Sequence, residues 1–257
     1  MPDDTQQPSN MNRLCSRFTT VTAIITGVLV LLVVLAGPMS KFGILHYGTA
    51  LTILMVGAFA SLITGLLATL ALVCSFRSGG ARARALSGGS LVASIAVAAT
   101  LWVMASTAQS VPPIHDITTD IVDPPLFEAV LANRAPDDNS ADYAGINAVG
   151  RFQESAYPDI ETVYLMEPIP SVFERALTAA RDMGWDIVAI DEDRGRIEAT
   201  ATTFWFGFKD DVVIRIEAAP SAATALDIRS ASRVGKSDIG ANAARIQAFL
   251  ERMNELS

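Results

Sequence analysis

One stretch near the C-terminal end gathers most of the residues whose types and spacing could do chemistry. Arg229, Ser230, Ser232, Arg233, Lys236, Asp238, Asn242 and Arg245 fall within one strand, one loop and the start of one helix. A shorter run upstream adds Asp210 and Asp211. Two guanidiniums, a lysine and a helix N-terminus together suit a carboxylate, phosphate or sulfate. The same residues can instead close on one another. Arg–Asp pairs can pin a loop, Gly235 and Gly240 can supply unusual backbone angles, Asp238 can cap a helix, and Asn242 and Arg245 can bond loop carbonyls. A nucleophilic reading would use Ser230 or Ser232 with Asp238, but a serine nucleophile needs a positioned base. The only histidine in this half is His115, far upstream, and a lysine base is limited to Lys236 or Lys209. The cysteines are Cys15 and Cys74, both in the first half, so the second half has no thiolate nucleophile or Cys-ligated metal. No catalytic residue, metal site or cofactor is assigned from these residues.

The elements that must position the motif are legible in its flanks. Ile197, Ala199 and Ala201 alternate with Glu198, Thr200 and Thr202. Val212, Ile214 and Ile216, then Leu226 and Ile228, do the same with charged partners. Period-two alternation predicts strands with one apolar face, at 186–190, 196–203, 211–217 and 225–230, and a shorter one at 162–165. A helix is predicted from Ser171, with Glu174 completing a capping box, to Gly184. A second runs from about Ile239 to Leu256, capped by Ser237 or Asp238. The result is an α+β unit: a two-layer sandwich with an antiparallel sheet of four or more strands and two helices on one face. The last two strands should pair so that Arg215 faces Asp227, because the alternative register sets Arg215 against Arg229 and Glu217 against Asp227. In that register Asp211 faces Ala231, with Arg229 and Arg233 diagonal to it. The outer positions Glu198, Thr200, Thr202, Arg215 and Glu217 are expected to be solvated sheet.

The motif closely resembles the family called domain of unknown function fourteen ninety-nine. The resemblance rests on Phe208, Asp210 and Asp211, then Arg229, Ser230, Ser232, Arg233, Gly235, Asp238, Gly240, Asn242, Arg245 and Ile246. It covers roughly residues 115–255. Many members open the domain with a Cys-x-Ser-Ser segment; this chain has no cysteine there, so a role for that thiol does not carry over. The resemblance implies no established activity.

The first half has a different character. The chain is 51% hydrophobic with mean hydropathy +0.36, and the apolar content is concentrated before residue 110. Runs at 18–37, 48–73 and 91–108 are uncharged and near the length of about 20 residues that crosses a bilayer as a helix. Small residues four apart in the second run (Gly57, Ser61, Gly65, and Ala60, Thr64, Ala68) favour close packing within the three-helix unit. Residues 1–109 hold six Lys/Arg against two acids, and the remainder 13 against 25. An acidic domain of this kind lacks the basic footprint that nucleic acid requires. Arg13 and Arg17 before the first run, and Arg77, Arg82 and Arg84 between the second and third, put the N-terminus in the cytoplasm and the C-terminal domain outside it.

The organisation expected is a disordered cytoplasmic tail at 1–17, a three-helix anchor at 18–109, a proline-rich tether and loop at 110–150 that includes an exposed His115, and the α+β domain at 151–257. The residue types favour a membrane-anchored binding or interaction module of a bacterial cell envelope, with a periplasmic domain, over an enzyme. Its partners would be the lipid bilayer and a small anionic ligand or envelope protein. An envelope hydrolase using a motif serine and a structural subunit of a membrane complex are the alternatives.

Overall fold

The computed structural model describes residues 10–78 and 80–256. The chain divides into two compact units, a helical one and an α+β one. In the helical unit, α1 (Asn10–Lys41), α2 (Tyr47–Ser78) and α3 (Ala81–Ser110) are each long and apolar enough to cross a membrane. Helix α1 starts earlier than the apolar pattern alone predicts. Residues 10–17, expected in the disordered tail, are helical, because no glycine or proline stops the span's helix from extending through them. Residues 1–9 lie outside the described residues. The short connections fold the three helices up, down and up, so Arg13, Arg17, Arg77, Arg82 and Arg84 gather at one end. A disulfide joins Cys15 to Cys74 near that end. The small-residue faces pack inside the unit as expected: a Cβ at Gly57 would collide with the Val33 side chain of α1, and the Thr64 and Ser94 hydroxyls bond at 2.9 Å between α2 and α3.

The second unit is built on a six-stranded antiparallel sheet: β1 (Asp116–Thr118), β2 (Val163–Leu165), β3 (Asp186–Asp191), β4 (Arg196–Thr202), β5 (Lys209–Ala218) and β6 (Thr224–Ser232). The main order is β1-β6-β5-β4-β3, and β2 lies along the other end of the same β6 edge that β1 occupies. The register is the one that opposite charges favour, with Arg215 facing Asp227 and Asp211 facing Ala231. The β3–β4 turn closes at Gly195, whose φ is +60° and where a Cβ would overlap the carbonyl oxygen of Ile216.

Helices α5 (Ile169–Asp182) and α6 (Ala241–Glu255) cover one face. Val172, Phe173, Ala176, Ala180, Ile246, Phe249 and Met253 meet Ile197, Val212, Ile214, Ile216, Leu226 and Ile228 in one core. Trp185, just beyond α5, stacks on Phe249 with ring centres 5.5 Å apart. Gly184 ends α5 at φ +71°, but the helix begins two residues before the expected cap. Its first turn carries Pro170, whose fixed φ suits that position, and Ser171 makes no cap.

Two expectations are corrected. The run read as tether contains β1, whose outward edge is sealed by the buried Gln153 of α4 (Arg151–Ala156). The Gln153 amide donates to Thr118 O at 2.5 Å and accepts from Thr118 N at 3.0 Å, as a neighbouring strand would. His115, expected to be exposed, is only partly so, and its carbonyl accepts from Ser232 N at 2.9 Å. The second correction concerns the sheet's other face. Glu198, Thr200, Asp211, Asp227 and Arg229 are buried, because the irregular chain between β1 and α4 lies over them. Of the positions expected to be solvated, Thr202 and Glu217 are exposed and Arg215 is partly so.

Candidate functional site

The pleat divides the motif between the two faces of the sheet. Odd-numbered residues of β5 and β6 point toward the irregular layer, so Asp211, Arg229 and Arg233 lie there. Even-numbered ones point toward the helices, so Asp210, Ser230 and Ser232 lie with Asn242 and Arg245 of α6. Nine of the ten candidate residues therefore divide between two networks rather than forming one corner, and Lys236 joins neither.

On the irregular side, Arg229 is fully buried. Its guanidinium grips Asp116 of β1 with two parallel bonds, Nε to Oδ1 at 2.9 Å and Nη2 to Oδ2 at 2.7 Å. It also donates to the carbonyls of Pro125 at 3.1 Å and Ala141 at 2.8 Å. The Phe127 and Tyr143 rings lie 4.6 Å and 5.5 Å from its guanidinium carbon, which keeps water away and offers both π faces to the charge. Burial pushes the Tyr143 phenol up to about 12, and nearby Asp116 pushes the same way. Asp211 sits between two guanidiniums, as expected, but the pair differs from the expected one. Arg233 donates through Nη2 at 2.7 Å, and Arg134, from the irregular layer, at 2.8 Å. Arg229 is instead drawn to Asp116, because β1 pairs alongside β6 and brings that carboxylate to its own face. Arg233 also bonds Asn133 O at 2.6 Å, and Asn139 clasps the carbonyls of Ser232 and Gly235. Glu198 completes the layer, accepting from Glu128 N, Val130 N and Arg196.

On the helix side, Arg245 donates to Asp210 at 2.5 Å, to Ser230 Oγ at 3.0 Å, and to Asn242 Oδ1. Ser230 Oγ donates to Asn242 Oδ1 at 2.7 Å. The Asn242 amide in turn donates to Ser232 Oγ and to His115 O, each at 2.9 Å. Asn242 thus ties β6, the start of β1 and α6 together. The α6 start is capped by Asp238, as expected: its two oxygens accept from Gly240 N and Asn242 N, each at 2.8 Å. Burial raises the Asp238 carboxyl above its usual range, and those two backbone bonds oppose the rise. Gly235 and Gly240 take φ of +91° and +80°, the left-handed region that favours glycine. Lys236 stands exposed on the loop.

These contacts fix what the arrangement can do. The serine hydroxyls are buried and already engaged, Ser230 with Asn242 and Arg245 and Ser232 with Asn242. The backbone donors that would receive an anion at the α6 start already hold a carboxylate. Asp116, Arg134, Asn139 and Glu198, all central to the networks, were missed in the sequence. The available signal was faint: Asp116 lies between Ile114 and Ile117, the only hint of a buried strand inside a proline-rich run.

A family model described as "Protein of unknown function (DUF1499)" matches residues 116–253. Its span starts at the first residue of β1 and ends within α6. No curated protein matches the chain.

Proposed function

This chain belongs to the DUF1499 family, and from that premise we propose that it is a membrane-anchored extracytoplasmic binding or interaction module of a cell envelope. In this reading the motif fastens the domain together and is not its ligand site. The observation that carries it is the occupancy of every motif arginine by one of the chain's own carboxylates: Arg229 by Asp116, Arg233 by Asp211 and Arg245 by Asp210. Asp238 fills the helix start in the same way. An external anion would have to displace one of these from a buried position, against the cost of leaving a carboxylate unpaired. Binding then belongs to the exposed surface, outside the motif. The arginines gathered at one end of the helical unit, against the single Lys41 at the other, support this side of the membrane.

Thermal unfolding of the full chain in detergent tests the fastening. Arg233→Ala should lower the midpoint by several degrees, and Lys236→Ala should leave it within about 0.5 kcal/mol of wild type. An unchanged Arg233→Ala midpoint, or wild type stabilised by sulfate through Arg233, would return the motif to the role of a ligand site. A C-terminal alkaline phosphatase fusion, active only outside the cytoplasm, tests the orientation separately.

A further inference from the structure

The helical unit has a cleft of about 600 Å³ at its arginine-rich end, between the start of α1 and the start of α3. Arg13, Arg17 and Arg82 line it, with Ser16, Thr19 and Gly80. We infer that this cleft binds the phosphodiester headgroup of an anionic phospholipid.

Three observations converge on it. The first is charge. Arg13, Arg17 and Arg82 set three guanidiniums on one cleft, and between residues 10 and 109 the sequence has six Lys/Arg and no Asp or Glu. The second is an unmet hydroxyl. Thr19 is 1% exposed, lines the cleft, and has a buried Oγ1 without a hydrogen-bond partner. A buried polar atom left unpaired is costly, and a phosphate oxygen would satisfy it. The third is depth. Helices of 30 to 32 residues exceed the roughly 20 that cover the hydrocarbon, so their ends reach the headgroup layer. A basic pocket between helices at that level is the usual form of an anionic headgroup site. A free phosphate ion shares the chemistry. The headgroup is favoured because it is held at this depth by its own acyl chains, which lie against the exposed apolar flanks of α1 and α3.

The inference rests on the three helices crossing a bilayer. Retention of the chain in the membrane pellet after alkaline carbonate washing checks that independently. The test itself is thermal unfolding of the full chain in a non-ionic detergent, with dioleoyl phosphatidylglycerol, dioleoyl phosphatidylcholine or inorganic phosphate added. Phosphatidylglycerol should raise the midpoint by several degrees and phosphatidylcholine should not. The variant Arg13→Gln/Arg17→Gln/Arg82→Gln should lose the rise, while Arg77→Gln/Arg84→Gln, with arginines outside the cleft, should keep it. If the triple variant yields no folded protein, Arg13→Gln and Arg82→Gln singly should each weaken the apparent lipid affinity several-fold. An equal rise with phosphatidylcholine, or a full rise in the cleft variants, overturns the site. An equal rise with inorganic phosphate overturns the lipid assignment. A rise that emerges only in Asp3→Asn/Asp4→Asn makes the N-terminal tail the natural occupant and overturns it too.

Discussion

The two faces of the sheet are buried by opposite means. Under α5 and α6 the strands present Ile197, Val212, Ile214, Leu226 and Ile228 to an apolar core. Under the irregular layer they present Glu198, Asp211, Asp227 and Arg229, each held by charged or backbone partners. An apolar face takes whatever apolar shape covers it. A face of buried charge accepts only a cover that supplies a partner at each position, so it specifies the path of a chain that has almost no regular structure. Arg229, reaching Asp116, Pro125 and Ala141, fastens three separate points of that path.

The sharpest way to break this comparison is to remove one charge and then its partner. Arg229→Met leaves Asp116 buried and unpaired, and should cost about 3–5 kcal/mol, a fall in the midpoint of roughly 6–20 °C. Phe249→Ala on the helix face should cost a similar amount, about 3–5 kcal/mol, through a cavity. The faces separate in the double variant. Arg229→Met with Asp116→Leu should recover much of the loss, since a matched apolar pair can replace a buried ion pair. No recovery would mean that the layer needs the guanidinium's carbonyl bonds as much as its charge.

A smaller effect is expected at Asp238. Loss of its capping in Asp238→Ala should cost about 0.5–2 kcal/mol. Its carboxyl is raised by burial in the folded state, so the folded chain holds the proton at a pH where the unfolded chain has released it. Its contribution is therefore greatest in acid and is lost as pH rises through the folded value. The gap between wild type and Asp238→Ala in thermal unfolding should widen from neutral pH toward pH 4. A gap independent of pH would remove the burial argument.

The smallest effect is at Tyr143, whose buried hydroxyl has no hydrogen-bond partner. Tyr143→Phe keeps the ring beside Arg229 and should change stability by less than about 1 kcal/mol at neutral pH. Above pH 10 the two should diverge. The wild-type phenol stays protonated to about 12 when folded, so wild type alone loses this contribution as the unfolded phenol ionises. Parallel alkaline profiles would indicate that Tyr143 is not held out of water.

What the sequence made legible follows the same division. Alternation located β3 to β6, and opposite charge set Arg215 against Asp227, because both are local rules about neighbouring side chains. The same alternation identified which side chains share a face, but it carries no information on whether that face is wet. Glu198 read as solvent-facing, and Arg229 as a neighbour of Asp211, because their partners lie about 70 and 113 residues away in a segment without periodicity. The motif read as one corner for a related reason: Ser230 and Arg229 are adjacent in the chain and on opposite sides of the sheet. The Asp238 cap was legible, since it depends on residues two and four positions on.

The pairing of β1 with β6 also has a consequence in time. A chain is made from its N-terminus, and β1 is the first strand of this unit to emerge after α3, while β6 is the last. Until Arg229 has been synthesised, Asp116 has no guanidinium to meet and the slot between Gln153 and β6 cannot form. The first strand must wait for 113 further residues to be made. The closing contact is long-range and so is slow to form. A nascent chain stalled short of residue 229 presents an open sheet with an uncovered apolar face, the form in which chaperones and proteases would first encounter this protein.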